Sequence, residues 1–406
     1  MPKLALVRFI PFRRADILQM CLQEAQLDTA GLAQFQMGAA HIERHFCDDF
    51  HQVKHTLKDA YFSLDPDADT RLVHLDNSDN TADLARQISQ LLERANYDKV
   101  TPEVLSRAMN SSSLFDIRLV VNLDDFAEVL LYTRGVSERT EEIRGPFNLW
   151  RKNIDFINYD RVVLYLRFKD KMDKDSPFAD CRPGSTMLKL FQNVPEGDLE
   201  MLFPNTQVGM RLRDKLMIGI PALVSGGIVL TTKLGATLVL TGSLLGFWLG
   251  LHKEAVTLDS KALIVLLAGA ATIAGYLWKQ FSNFKNRKLR FTEALTRNLY
   301  FKLLDNNAGV IYRLLDDAEE SECKESLLAY YFLLAAQQPL SAQELDQRIE
   351  VWFSQRWQCQ LDFDIDDALQ KLAMLNLAYL DGGYWRICKI QDAPLGQDVS
   401  EQANGV

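Results

Sequence analysis

None of the six cysteines of this 406-residue chain stands in a C-x-x-C pair. Cys21, Cys47, Cys181, Cys323, Cys359 and Cys388 are scattered. That removes the usual zinc spacings and any disulfide framework, and it points to a reducing compartment. A phosphate-binding G-x-x-x-x-G-K loop, a nucleophile elbow and an H-E-x-x-H helix are also missing, so those common enzyme signatures are excluded. Positive charge is in deficit: Lys and Arg total 45 against 54 Asp and Glu, a net charge of −9. This argues against a general affinity for nucleic acid or for anionic lipid over the whole surface. The first residues, Met1 to Arg14, hold no adequate apolar core and no small-residue cleavage site. They read as a mature cytoplasmic start.

What is present is a long apolar stretch. From Leu216 to Trp278 the charged positions are Lys233, Lys253, Glu254, Asp259 and Lys261, with His252 beside them. The uncharged runs Leu216–Thr232, Leu234–Leu251 and Ala262–Trp278 are each close to the roughly 17–25 residues that a membrane-crossing helix needs. Arg211, Arg213 and Lys215 precede the first run, and Lys279, Lys285, Arg287, Lys288 and Arg290 follow the last. Positive flanks favour the cytoplasmic side, so an even number of crossings is expected, two rather than three, with His252–Lys261 as the outer connection. Lys233 is the intramembrane charge on this reading: a functional group, or a lysine that snorkels to the headgroups. Lys285, Arg287, Lys288 and Arg290 become candidate contacts to anionic lipid headgroups. Gly242, Gly246 and Gly250 stand four apart, a spacing that lets helices approach closely.

Before the apolar stretch the pattern is helical and then extended. Phe35, Ala39, Ile42, Phe46, Phe50, Val53, Leu57, Ala60 and Leu64 recur at three- and four-residue steps, which predicts an amphipathic helix over 31–64 ended by Asp65-Pro66. That helix carries His41, His45, Asp48, His51 and His55, the candidate metal ligands by spacing. At 100° per residue His41, His45, Asp48 and His55 point away from the apolar stripe, which favours a plain polar face, and no metal or other cofactor is expected. Phe115–Asn122, Glu128–Arg134, Arg161–Lys169 and Thr186–Phe191 read as strands. Asp173 and Asp175 alternate in a polar loop but lack the glycine and glutamate of a calcium loop. After the apolar stretch, helices are expected over 285–304, 309–318, 322–336, 341–353 and 365–376. A hairpin is expected around Asp381-Gly-Gly383. Three helices and a hairpin follow the order of a winged helix. Its third helix carries Asp366 and Asp367 against one lysine, Lys371, so a protein-docking or structural role fits better than DNA binding.

Several longer segments resemble a known group. Arg8-Phe-Ile-Pro-Phe-Arg-Arg14, Leu57-Lys-Asp-Ala-Tyr61, Leu188 to Pro204, Asn283 to Lys288, Leu299-Tyr-Phe301, Asp305 to Val310 and Lys324 to Tyr331 are similar to the family that includes transmembrane protein 143. The resemblance runs over nearly the whole chain. It implies a membrane protein with a domain of unknown function and supplies no catalytic residues. The family's eukaryotic member is linked to mitochondria, and this chain lacks an Arg- and Ser-rich transit segment.

The expected fold class is therefore an α+β multidomain membrane protein. It comprises an N-terminal helical region (1–112), a small α+β domain (113–210) and a membrane-embedded helical hairpin (211–283). Juxtamembrane helices (284–338), a winged-helix-like domain (339–392) and a tail (393–406) follow. The expected function is a membrane-anchored scaffold or regulatory protein in a bacterial inner or plasma membrane, with its soluble regions cytoplasmic. Its expected partners are membrane lipids and a protein partner or a second copy, not nucleic acid. The alternatives are a membrane-associated enzyme, lipid- or metal-linked, and an oligomeric transport or pore protein using Lys233.

Overall fold

The computed structural model describes residues 7–24, 26–67, 81–101, 103–105, 118–144, 151–170, 184–209, 301–336 and 338–388, with isolated helical positions between 242 and 300. The chain forms two compact units. One contains Met1–Ala108, Leu123–Leu199 and Lys302–Val406, and the other contains Met109–Asn122 and Glu200–Phe301.

In the first unit, helix α1 (Arg14–Gln23) is followed by the long α2 (Thr29–Phe62) and by α3 (Thr81–Arg94). Asp28 caps α2 by accepting a hydrogen bond from the Gly31 N–H at 2.7 Å, satisfying one of the free donors at the helix start. The apolar stripe read in the sequence is the buried one: Phe35, Ala39, Ile42, Phe46, Phe50, Leu57 and Tyr61 all lie in the core.

An antiparallel sheet follows, built from β1 (Asp98–Lys99), β3 (Phe126–Arg144), β4 (Arg151–Phe168), β5 (Thr186–Pro195) and β7 (Leu303–Asn306), in the order β1-β3-β4-β5-β7. On β4, Val163 and Tyr165 join the helical core, while Val162, Leu164 and Leu166 on the opposite face are also fully buried. Burial on both faces explains why this strand reads as an unbroken apolar run instead of alternating. The strands expected at 128–134 and 161–169 are longer than their apolar centres. They continue as a ribbon of 19 and 18 residues, in register to Arg144↔Arg151, with Thr140 Oγ1 bonded to Asp155 Oδ1 at 2.6 Å across it. Cross-strand polar pairs extend the ladder where hydrophobic patterning ends.

After the sheet come α4 (Ala308–Ala335), α5 (Ala342–Trp357) and α6 (Ile365–Met374), then a hairpin of β8 (Ala378–Asp381) and β9 (Tyr384–Ile387). Ser341 and Glu344 form the capping box expected at the start of α5. Two expectations change here. Leu303 and Leu304, expected to end a helix, instead open a strand over 303–306, because Asp305 and Asn306 pair with Leu190 and Lys189 on the free edge of β5. The two helices expected at 309–318 and 322–336 are one helix of 28 residues. Its polar middle does not break it, because those side chains find partners on neighbouring elements.

α4 is the hub of the first unit. It packs against α1, α2, α3, α5 and α6, and from Ser321 to Leu333 every residue is buried. A helix buried all round is a core element, not a surface one. It comes close to α2, where a Cβ built on Gly38 would lie 2.2 Å from Tyr330 Cε1. Phe35 stacks on Tyr330 at 6.1 Å and meets Tyr331 edge-on at 5.3 Å. In the second unit, β2 (Arg118–Val120) pairs antiparallel with β6 (Gln207–Gly209), and Asn205 donates to the Asn122 carbonyl.

The expected membrane hairpin at 211–283 is corrected. Among the described residues, no helix is long and apolar enough to cross a membrane. A crossing needs one unbroken helix of roughly 20 apolar residues, whereas the apolar composition of a window reports only hydropathy. The membrane fold class, the transmembrane-helix assignment and the integral-membrane location are therefore not supported. Most of Leu216–Trp278, including Lys233, lies outside the described residues.

The Gly38–Tyr330 contact yields a test of the hub. Gly38→Ala is expected to lower stability by about 1–3 kcal/mol, because overpacking outweighs the gain of about 1 kcal/mol from better helix propensity. Denaturant midpoints of the two proteins check this, and an unchanged or higher midpoint for Gly38→Ala would show that α2 and α4 are not held this closely.

Candidate functional site

The sequence segments singled out above meet in pairs on the folded chain. Lys324 of α4 is largely buried, and its ammonium donates to the carbonyls of Ile10 and Phe12 at 3.1 and 3.0 Å. The Lys324–Tyr331 segment thus holds the Arg8–Arg14 segment by its backbone. Leu57–Tyr61 on α2 and Asp305–Val310 at the start of α4 meet at a cleft of about 480 Å³. This cleft is the candidate site.

Its walls follow from local structure. α2 ends at Phe62, and Tyr61, Phe62, Asp65 and Asp67 form one side. Asp65 Oδ1 accepts from the Asp67 N–H at 3.0 Å, an Asx turn that folds the chain back after the helix. The chain is tied to the sheet there, with Thr186 N–H donating to the Leu64 carbonyl at 3.0 Å. The Tyr61 hydroxyl donates to the Thr186 carbonyl at 3.4 Å. Burial, reinforced by Asp65 and Asp67, pushes the Tyr61 hydroxyl well above its ordinary pKa, so it stays protonated and serves as a fixed donor.

The other side is the β7–α4 turn. Asn307 has a positive φ of 49° with ψ −125°, outside the left-handed helical region, a backbone conformation that glycine adopts most easily. It exchanges backbone and side-chain bonds with Leu188: its N–H donates to the Leu188 carbonyl at 2.7 Å, and its Oδ1 accepts from the Leu188 N–H at 3.2 Å. Its amide nitrogen donates to Asp67, which closes the cleft floor between α2 and α4. Gly309 lies close under the Asp305 carboxylate: a Cβ there would sit 2.0 Å from Asp305 Oδ1, so a larger residue would make that carboxylate shift. Lys58 and Tyr312 complete the rim, with the Lys54 ammonium 5.3 Å from the centre of the Tyr312 ring. The cleft therefore presents two carboxylates, a lysine, aromatic rings and the positive end of a long helix. That is the equipment of a polar binding site.

A second cluster is buried under α4. Glu322 is only 2% exposed. It accepts from Arg94 Nε at 2.6 Å and from Lys371 Nζ at 2.6 Å. Arg94 also reaches Asp49 at 2.7 Å, and Lys371 also contacts Asp367. α2, α3, α4 and α6 are joined by this one set of ion pairs. The guanidinium of Arg94 additionally lies 4.1 Å from the centre of the Phe50 ring.

The residues expected to act are placed differently. His41, His45, Asp48, His51 and His55 are all exposed on the outer face of α2. His51 and His55 lie 3.2 Å apart through their Nε2 atoms. Among the described residues, no group of three or more His, Cys, Asp or Glu side chains is arranged to hold a metal ion. Lys285 is helical and exposed, while Lys233, Arg287, Lys288 and Arg290 fall outside the described residues. Spacing on one helix gave no hint of Asp49–Arg94–Glu322–Lys371, whose members are brought together from four elements. The one available signal was a polar run, Glu319 to Ser326, inside an apolar helix.

Residues 159–309 of the chain match a family described as a protein of unknown function, DUF3754. The matched span runs from β4 to Gly309, so it includes Asn306 to Gly309 of the cleft and not Lys58, Tyr61, Ile311 or Tyr312. The match does not name the family that includes transmembrane protein 143. No solved structure matches the chain significantly.

The turn that builds the cleft can be tested directly. Asn307→Ala is expected to cost about 2–4 kcal/mol, from lost hydrogen bonds of about 1 kcal/mol each and strain of about 1–2 kcal/mol at this positive φ. Asn307→Gly removes only the strain component and should recover roughly 1 kcal/mol of that loss. Equal urea midpoints for the two variants would show that the backbone at 307 is unstrained.

Proposed function

We propose that the chain is a scaffold or regulatory protein that docks a protein partner through its C-terminal winged-helix-like region. The observation that carries this reading is the division of labour between α6 and the β8–β9 hairpin. Lys371, the one cation of α6, is turned inward onto Glu322 and Asp367. The first turn of α6 carries Asp366 and Asp367. Such a helix repels phosphates, so nucleic acid is not the proposed partner.

The hairpin instead presents aromatic surface. Cross-strand register pairs Tyr379 with Arg386 and Asp381 with Tyr384, which sets both tyrosines on one face. They are 47% and 50% exposed, with the Arg386–Asp381 ion pair of 3.1 Å between the strands. On the opposite face, Trp385 and Ile387 pack against the core, and Leu340 exchanges backbone hydrogen bonds with Trp385 at 3.3 and 2.7 Å. The hairpin is thus firmly seated, and its outward tyrosines are the residue type that anchors protein interfaces. Membership of the family that includes transmembrane protein 143 is part of this proposal. It rests on the paired segments Arg8–Arg14 with Lys324–Tyr331 and Leu57–Tyr61 with Asp305–Val310.

A photocrosslinking residue at position 384 of the full chain tests the reading in cells. A discrete adduct with one protein species is expected. Tyr379→Ala should reduce the yield about tenfold, as the loss of a contact of roughly 1.4 kcal/mol requires, with the thermal melt unchanged. A diffuse adduct pattern, or one indifferent to Tyr379→Ala, sinks the proposal.

A further inference from the structure

The exposed side of α2 holds a pair of imidazoles that neither the cleft nor the hairpin uses. His51 and His55 are four residues apart on the helix, and both are exposed. Their ring centres lie 4.7 Å apart, with the planes turned 76° from one another. This brings the two Nε2 atoms within 3.2 Å. Such a separation is the bite of a chelate. With metal–nitrogen bonds of roughly 2.0–2.1 Å, two nitrogens so placed subtend about 100° at a shared ion, close to the tetrahedral angle.

Helical spacing by itself does not make the pair. His41 and His45 are also four apart, but the His45 ring lies edge-on against Phe46, with centres 5.4 Å apart. Charge around His51 and His55 favours a cation. Asp48 and Asp59 stand about one turn before and one turn after them, and both are exposed. The lysines of the same stretch are directed to α4 and the cleft. The Lys54 ammonium is 5.3 Å from the centre of the Tyr312 ring, and Lys58 lines the cleft. Cys47, one turn before His51, is engaged by Glu319 of α4.

We propose that His51 and His55 form a surface chelate for a divalent late first-row transition ion, with zinc as the fitting case. Each neutral imidazole donates its Nε2 lone pair to the ion. The proton of an Nε2–H tautomer moves to Nδ1, and two waters leave the hydrated ion. The remaining positions keep water, because a closed zinc site takes four protein ligands. Among the described residues, no group of three or more ligating side chains is arranged to hold a metal. The site is therefore open and exchangeable. It differs from the inward-facing bundle site that the direction of the apolar stripe argued against.

The bite exists only while residues 51–55 are helical, so a bound ion stabilises the folded state. It does so on the same helix that carries Lys58 and Tyr61, which wall the cleft. Imidazole nitrogen suits zinc and nickel, whereas magnesium prefers oxygen ligands. The site should therefore discriminate between these ions.

Calorimetric titration of the full chain, purified without a histidine tag, reads the site. One Zn²⁺ per chain is expected, and Mg²⁺ at the same concentration should give no binding. His51→Ala and His55→Ala should each weaken Zn²⁺ binding about a hundredfold, the loss that follows when a two-armed ligand keeps one arm. His41→Ala and Cys47→Ser should leave it unchanged. Zn²⁺ should also raise the thermal midpoint of the wild type and not that of His51→Ala. No Zn²⁺ binding by the wild type, or binding that survives His51→Ala, overturns the proposal. Binding lost in His41→Ala or Cys47→Ser does the same, since it would place the ion on another set of ligands. Equal stabilisation by Mg²⁺ would report attraction to Asp48 and Asp59 and not a chelate, and it too overturns the proposal.

Discussion

The first unit depends on a charge buried in the stretch of α4, Ser321–Leu333, where no residue faces solvent. Glu322, 2% exposed, sits between Arg94 and Lys371, and around it α2, α3 and α6 converge on α4. A buried ion pair adds little net stability over a well-packed apolar contact, but removing one partner leaves an uncompensated charge and costs several kcal/mol. Such a group acts as a constraint on arrangement. α6 can seat only where Lys371 reaches Glu322, and α3 only where Arg94 reaches both Glu322 and Asp49.

The same logic runs along the rest of α4. Asp317 takes the Arg134 guanidinium at 3.0 Å and the Tyr97 hydroxyl at 3.1 Å, while Lys324 takes two backbone carbonyls from the start of the chain. Each polar side chain named here faces a different neighbour, so the helix can bury Ser321–Leu333 without losing its charges. Further out, its aromatic residues do the packing. Phe35 of α2 lies between Tyr330 and Tyr331, and Phe332 meets Trp352 of α5 edge-on at 5.6 Å. At its start, the Asn307 turn converts the end of a strand into the beginning of the helix and shapes the cleft.

The apolar stripe of α2, the capping box of α5, the terminal hairpin and the apolar centre of β4 were legible because each is a local pattern with a period or a fixed spacing. What escaped was of two kinds. Leu303–Asn306 became a strand because β5 offered a free edge, which no window around residue 303 can reveal. α4 ran through Glu319–Ser326 because its partners lie far away in sequence, as Asn96 and Lys371 do for Glu325 and Glu322. The histidines spaced along α2 lie exposed on its surface. The apolar stretch from Leu216 was read as a membrane hairpin, yet no helix among the described residues is long and apolar enough for that.

The sequence by itself determined where chain segments become helix or strand in most of the first unit, and which face of α2 would be buried. It did so because backbone hydrogen bonding and hydrophobic periodicity are local properties. Tertiary structure alone decided which charges are structural. Arg94, Glu322, Glu325 and Lys371 look like ordinary surface residues until α2, α3, α4 and α6 pack together and remove their water. Desolvation depends on what lies across the helix and not on what lies beside a residue in the chain, so the cleft and the ion-pair cluster appeared only in three dimensions.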